Sequence, residues 1–104
     1  MTDFKRITVD EANTLLTQTI TATIVDIRDE MSYQDSHIDG ATHLGNHNLT
    51  GFVEDTDFER PVLVYCYHGH SSQNAAHYLV NQGFEDVYSI DGGYEVWRNN
   101  PPLK

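Results

Sequence analysis

The apolar run Pro61-Val-Leu-Val-Tyr65, closed by Cys66, constrains this chain more than any other segment. It has no alternation of polar and apolar residues, and it is led by a proline, which is tolerated where a strand opens. A strand apolar on both faces must be covered on both faces, which is the situation inside a parallel sheet. A short polar loop follows, Tyr67-His-Gly-His-Ser71. Behind it the spacing predicts a helix from about Ser72 to Gln82. Ala75, Ala76, Leu79 and Val80 form its apolar face, and Gly83 stands at the C-cap position.

The flanking segments extend this strand–helix alternation. Thr8-Val-Asp-Glu11 has the form of a capping box, and Ala12, Leu15 and Leu16 follow at helical spacing, so residues 9–18 read as a helix. Thr23-Ile-Val-Asp-Ile27 reads as a buried strand. Asp29–Ser36 reads as a short helix or turn, Ala41–Leu44 as a short strand, and Asn48–Glu54 as another short helix. Asp86–Ile90 is a further strand, Asp91-Gly-Gly93 a turn, and Tyr94–Arg98 a last helix. Alternation of this kind predicts an α/β domain, with a central, mostly parallel sheet and helices on both faces. The length of 104 residues suits a single domain spanning 1–104.

Composition narrows the function classes. Hydrophobic residues make up 38% and charged residues 21%, the balance of a folded chain. No apolar run approaches the roughly 20 residues needed to cross a bilayer. The segment Met1-Thr-Asp-Phe-Lys-Arg has no apolar stretch behind its charges, so no leader is expected and the expected compartment is the cytoplasm. The formal net charge of −10 makes nucleic acid and anionic membrane poor partners, and it repels small anions at long range. A single cysteine excludes an internal disulfide and Cys-rich metal motifs.

That cysteine, Cys66, ends the best strand and begins the loop that feeds the best helix. Sites on open α/β sheets form outside the carboxyl ends of strands. A loop with Gly69 at its middle can curl until successive N–H groups point inward. With the amides at the next helix N-terminus they make an anion cradle, and a thiol inside it is shifted toward the reactive thiolate. The candidate site is therefore Cys66 as nucleophile, with Tyr67, His68, Gly69, His70, Ser71 and Ser72 as the substrate-holding loop. His68 and His70 offer donors to a bound anion, although a solvent-facing placement is the simpler reading. They do not form a metal pair, since no completing ligand is in sight. Ser71 and Ser72 can donate hydroxyls into the cradle or cap the helix. Cysteine phosphatases carry an arginine six residues beyond the cysteine; here that residue is Ser72, and the loop holds neither Arg nor Lys. Asp26 and Arg28 can pair with each other or with neighbouring loops and so hold the rim of the site, and Tyr94 and Trp97 read as core or lid packing residues. His37, His43, His47 and His77 read as surface or capping residues.

Three segments together resemble the rhodanese family. They are Val25-Asp-Ile-Arg-Asp29 with Tyr33 and His37-Ile-Asp-Gly-Ala41, then Cys66-Tyr-His-Gly-His-Ser-Ser72, and finally Asp91-Gly-Gly-Tyr-Glu-Val-Trp97. The resemblance covers nearly the whole chain and implies a rhodanese-like domain. It implies that Cys66 takes the outer sulfur of thiosulfate as a persulfide, then passes it to cyanide or to a thiol acceptor such as thioredoxin. No cofactor or metal is implied. Ser36 stands where family members usually carry glycine. The loop also lacks the cation that many thiosulfate-using members hold nearby, so weak thiosulfate affinity is expected. The alternative readings are a non-catalytic binding or regulatory module of the same family and, disfavoured by the missing arginine, a cysteine-dependent phosphatase or arsenate reductase.

Overall fold

The computed structural model describes residues 3–19 and 21–99, so the two ends of the expected 1–104 domain lie outside the described residues. In chain order the elements are β1 (Lys5–Ile7), α1 (Val9–Gln18), β2 (Thr23–Asp26), α2 (Glu30–Asp35), β3 (Thr42–His43), α3 (Leu49–Asp55), β4 (Val62–Tyr65), α4 (Ser71–Gln82), β5 (Val87–Ile90) and α5 (Gly93–Asn99). The strands form one sheet in the order β1-β5-β4-β2-β3, and every neighbouring pair is parallel.

β4 is central and buried along its whole length. Side chains along a strand alternate between faces, which divides the core in two. Leu63 and Tyr65 join Ile7, Ile24 and Ile90 under α1 and α5. Val62 and Val64 join Val25, Val87, Ala76 and Leu79 under α3 and α4. Each such side chain taken from water contributes roughly 1.5–3 kcal/mol. The run of unbroken apolar residues in β4 is thus the signature of a strand serving two cores at once.

Local signals explain most of the boundaries. The capping box forms: Thr8 Oγ1 accepts the Glu11 N–H at 3.1 Å, and Glu11 Oε1 accepts the Thr8 N–H at 2.8 Å. Gly83 ends α4 with φ +120°. The sequence reading missed β1. Of its three residues only Ile7 is buried, so it carries no period for a pattern to reveal. A second correction concerns α4. Its N-cap is His70, which makes no side-chain cap bond, so neither Ser71 nor Ser72 caps the helix.

Parallel pairing brings the carboxyl ends of the strands to one edge. Asp26 is in register with Tyr65, and Val64 with Ser89. Residues 26–29, 66–72 and 91–94 therefore leave the sheet side by side.

Candidate active site

Cys66 is the first residue beyond β4 and is only 5% exposed. Its sulfur faces the loop's amides. Sγ accepts the N–H of Gly69 at 3.2 Å and that of Ser72 at 3.3 Å. Burial alone pushes the thiol up. Hydrogen bonds from the Ser72 hydroxyl and from the amides of Ser72, Gly69 and His68 outweigh it, and the net shift is below the ordinary thiol value.

The loop's carbonyls are held by the elements on either side of it. Cys66 O accepts the Tyr94 N–H at 2.8 Å, and Tyr67 O accepts the Glu95 N–H at 3.0 Å, both from the first turn of α5. Gly69 O accepts Gln73 Nε2 at 2.8 Å, and His70 O accepts the Gln73 N–H at 3.1 Å. In a planar trans peptide the carbonyl and the following N–H point in opposite directions. A Tyr67 carbonyl pulled toward α5 therefore turns the His68 N–H toward the sulfur. Two glycines make the approach of the loops feasible. A Cβ on Gly69 (φ +92°) would lie 2.8 Å from Gly92 N, and one on Gly93 (φ +59°) would lie 2.4 Å from Cys66 O. Neither Gln73 nor the α5 contacts were singled out in the sequence. A polar helix residue bonding a loop carbonyl leaves no periodic trace.

Asp26 and Arg28 pair in a fork, fully inside the protein. Arg28 Nη2 donates to Asp26 Oδ2 at 2.7 Å, and Nε donates to Oδ1 and Oδ2 at 3.1 and 3.0 Å. Nη2 also donates to Ser36 O at 2.6 Å. The guanidinium lies 4.2 Å from the ring centroid of Tyr94 and 5.5 Å from that of Tyr67. Burial alone lowers the Arg28 pKa, but the Asp26 carboxylate more than offsets it. Tyr65 is driven upward by burial and then by the same carboxylate, while its hydroxyl accepts the Ile38 N–H at 3.1 Å. This is a scaffold of three strand-end residues beneath the loop. Its one positive charge is matched by Asp26 and is not offered to an anion.

Among the loop residues, Tyr67 is exposed and reaches sideways. Its hydroxyl donates to Asp29 and contacts the hydroxyl of Ser32. The Tyr67 bond first, and then the Ser32 hydroxyl and N–H donating to the same carboxylate at 2.9 and 3.1 Å, hold the Asp29 carboxyl down at about 2. His68, His70 and Ser71 are exposed, whereas Gly69 and Ser72 are buried. A shallow depression beside the loop is lined by Asp29, Met31, Ser32, Gln34, Asp35 and Tyr67. A separate cleft of about 340 Å³ between α3 and α4 includes Ile27, Leu44, Leu49, Ala75 and Tyr78, and presents no nucleophile. His43 departs from its expected surface or capping place. It is half-buried, with Nε2 2.6 Å from Arg28 O, and its ring packs on Tyr33 and His47.

The sequence profile of the rhodanese-like domain matches residues 8–100, and the chain belongs to that family. Over 102 residues it is 54% identical to the thiosulfate sulfurtransferase GlpE of Stutzerimonas stutzeri, spanning 98% of this chain and 92% of the relative. The thiosulfate sulfurtransferase GlpE of Pseudomonas entomophila is 53% identical over the same shares. Among solved structures, the rhodanese-like domain of an Anabaena protein matches with a TM-score of 0.83 and 26% identity, over 92% of this chain and 74% of that one. A rhodanese-like domain protein from Staphylococcus aureus, 22% identical, shares the fold with a TM-score of 0.81 over 97% and 99% of the two chains.

Proposed function

We propose that this protein is a thiosulfate sulfurtransferase in which Cys66 carries the sulfur as a persulfide. The Cys66 thiolate attacks the outer sulfur of thiosulfate. A new Sγ–S bond forms, the S–S bond of thiosulfate breaks, and sulfite leaves with the bonding pair. The charge once on Sγ then lies on the outer sulfur. Cyanide, or a thiolate such as that of thioredoxin, attacks that sulfur and releases thiocyanate or a new persulfide together with the Cys66 thiolate. Two displacements on one nucleophile give double-displacement kinetics.

The observation that carries this reading is the pair of amides, Gly69 and Ser72, on the Cys66 sulfur. Donors fixed before reaction stabilise an anion without reorganisation. The names of the GlpE relatives support thiosulfate as donor. The loop, Tyr67 to Ser72, holds the substrate through main-chain groups, since it contains no Arg or Lys to clamp a tetrahedral dianion. Among the described residues no helix is long and apolar enough to cross a membrane. The reading sets the reaction in the cytoplasm, where a lone thiol stays reduced, and gives nucleic acid no part in it.

The test is direct. Incubation with thiosulfate adds one sulfur atom to the protein mass, cyanide removes it, and Cys66→Ser neither takes up sulfur nor forms thiocyanate. Thiocyanate formation by Cys66→Ser at the wild-type rate would refute the mechanism. Absence of an adduct from any sulfane donor would favour a binding module of the same fold.

A further inference from the structure

Of the two main-chain donors on the Cys66 sulfur, Gly69 is the one that the chain is less able to hold by itself. Its N–H lies 3.2 Å from Sγ, yet it has φ +92° and no side chain. A glycine rotates about both backbone dihedrals at little steric cost, so nothing in the residue fixes the direction of its N–H. Ser72, the other donor, lies in the first turn of α4 and is held by the helix. On the β5 side Gly69 meets backbone, and a Cβ there would lie 2.8 Å from Gly92 N and 3.3 Å from Ile90 O.

On the other side stands Gln73 of α4. Its Nε2 donates to Gly69 O at 2.8 Å, and its N–H donates to His70 O at 3.1 Å. One residue thus takes the carbonyls of two successive loop residues. The first turn of a helix has N–H groups in need of acceptors, so a side-chain donor placed there does nothing for the helix end. The amide of Gln73 serves the loop instead, and it does so half-buried. Two hydrogen bonds therefore meet on Gly69: its carbonyl is tied to α4, and its N–H is given to the sulfur. With the carbonyl tied on one side and backbone pressed against the other, a residue free to swivel keeps one orientation.

We propose that Gln73 is a positioning residue for Cys66: by holding Gly69 O it keeps the Gly69 N–H directed at the Cys66 sulfur. This rests on the reading of Cys66 as the sulfur-carrying thiolate. Gln73 makes no bond to the sulfur and acts only through Gly69.

Two readouts follow the effect without any sulfur transfer. Because Cys66 is the only cysteine, the rate of its alkylation by iodoacetamide against pH reports its ionisation. Hydrogen–deuterium exchange at the Gly69 and Ser72 amides, followed by NMR at one pH, reports the two donors separately. Three proteins are compared: wild type, Gln73→Met and Asn74→Ala. Methionine keeps the length and nearly the helix propensity of glutamine and loses the donor. Asn74 is the exposed neighbour on α4 and serves as control. The titratable residues of the flanking elements, Tyr67, His68, His70, Asp26, Arg28 and Tyr94, are the same in all three. Gln73→Met raises the alkylation midpoint by about half a pH unit, part of the roughly one unit that a hydrogen bond to a charged group is worth. Below both midpoints its alkylation is then about threefold slower. Its Gly69 amide exchanges about tenfold faster, while Ser72 keeps the wild-type rate. Asn74→Ala matches wild type in both measurements. A Gln73→Met midpoint equal to wild type, or an unchanged Gly69 exchange rate, would overturn the proposal. So would an equal loss of protection at Gly69 and Ser72, the mark of a fraying helix, or an Asn74→Ala shift as large as that of Gln73→Met. A set of proteins that shows the expected pattern but whose wild type takes no sulfur from thiosulfate would refute the transferase reading and leave the role of Gln73 standing.

Discussion

The main-chain N–H of Tyr94 donates to the carbonyl of Cys66 at 2.8 Å, so the first turn of α5 grips the strand end that carries the sulfur. A contact between residues this far apart in sequence turns the C-terminal Asp91-Gly-Gly93 turn into part of the site's frame. The two peptide planes that follow Cys66 and Tyr67 are oriented from behind by the first turn of α5.

Gly93→Ala tests that frame. Its Cβ would sit 2.4 Å from Cys66 O and 2.7 Å from Tyr67 C, both backbone atoms that cannot step aside, at φ +59°. The conformation alone costs about 1–3 kcal/mol, and relieving the clash separates α5 from the loop. Thiocyanate formation is expected to fall by roughly tenfold or more, with kcat/KM dropping alongside Tm. The control is Gly51→Ala within α3, where a new Cβ meets nothing within 4 Å. That change gains about 0.5–1 kcal/mol of helix stability, or roughly 3–6 °C in Tm, with unchanged turnover.

The Asp26–Arg28 pair gives a different kind of prediction. Both partners are nearly unexposed, and the carboxylate has no solvent to turn to. Arg28→Gln leaves that charge buried and removes the cation seated 4.2 Å from the Tyr94 ring. Breaking one side of a buried pair costs about 3–5 kcal/mol. Chemical denaturation of Arg28→Gln is expected to show a loss of that size, and a loss under about 1 kcal/mol would mean that the pair contributes no more than a surface bridge.

How much of this was legible in the sequence depends on how far each feature reaches. β4, α1 with its capping box and α4 with its closing glycine announce themselves through signals that act within a few positions, whereas the N-cap of α4 did not. Cys66 was conspicuous because a strand end, a polar loop and a helix start coincide there. The rest depends on contacts across the sheet. β1 buries only one of its three residues, and its parallel pairing with β5 joins chain segments some 80 residues apart. The Ser72–Ser89 bond, the Gln73 hold on Gly69 O and the α5 grip on the loop are fixed by tertiary packing. Polar residues in such roles look like any surface residue until the chain is folded.

Tyr67 supplies a prediction with a pH signature. Its hydroxyl bond is the largest cause holding the Asp29 carboxyl at about 2, below the ordinary value of 3.8. A depressed carboxylate adds stability that is fully present above its unfolded value and is lost as pH falls through the folded one. Tyr67→Phe removes the largest single contribution to that depression and leaves the Ser32 bonds in place. Urea midpoints of wild type and Tyr67→Phe should therefore differ near neutral pH and converge between about pH 4 and pH 2. A gap that stays constant across that window would show that the tyrosine acts through packing and not through the carboxylate.

The charge balance bears on the sulfur donor itself. The chain carries a formal net charge of −10, its loop has no Lys or Arg, and Asp29 and Asp35 line the depression beside Tyr67. Arg28, the nearby cation, is matched by Asp26. On the proposed reading thiosulfate, a dianion, approaches against the field and meets main-chain amides but no unmatched cation. Salt screens repulsion between exposed charges over about 10 Å at 0.1 M. KM for thiosulfate is accordingly expected to be high and to fall by roughly two- to fivefold as ionic strength rises from about 0.01 to 0.2 M. His70→Arg places a permanent cation at an exposed loop position next to Gly69. It should lower KM by about tenfold, the equivalent of about 1.4 kcal/mol, and flatten the salt dependence. A wild-type KM that is low and indifferent to salt would show that the acidic surface lies too far from the sulfur to matter.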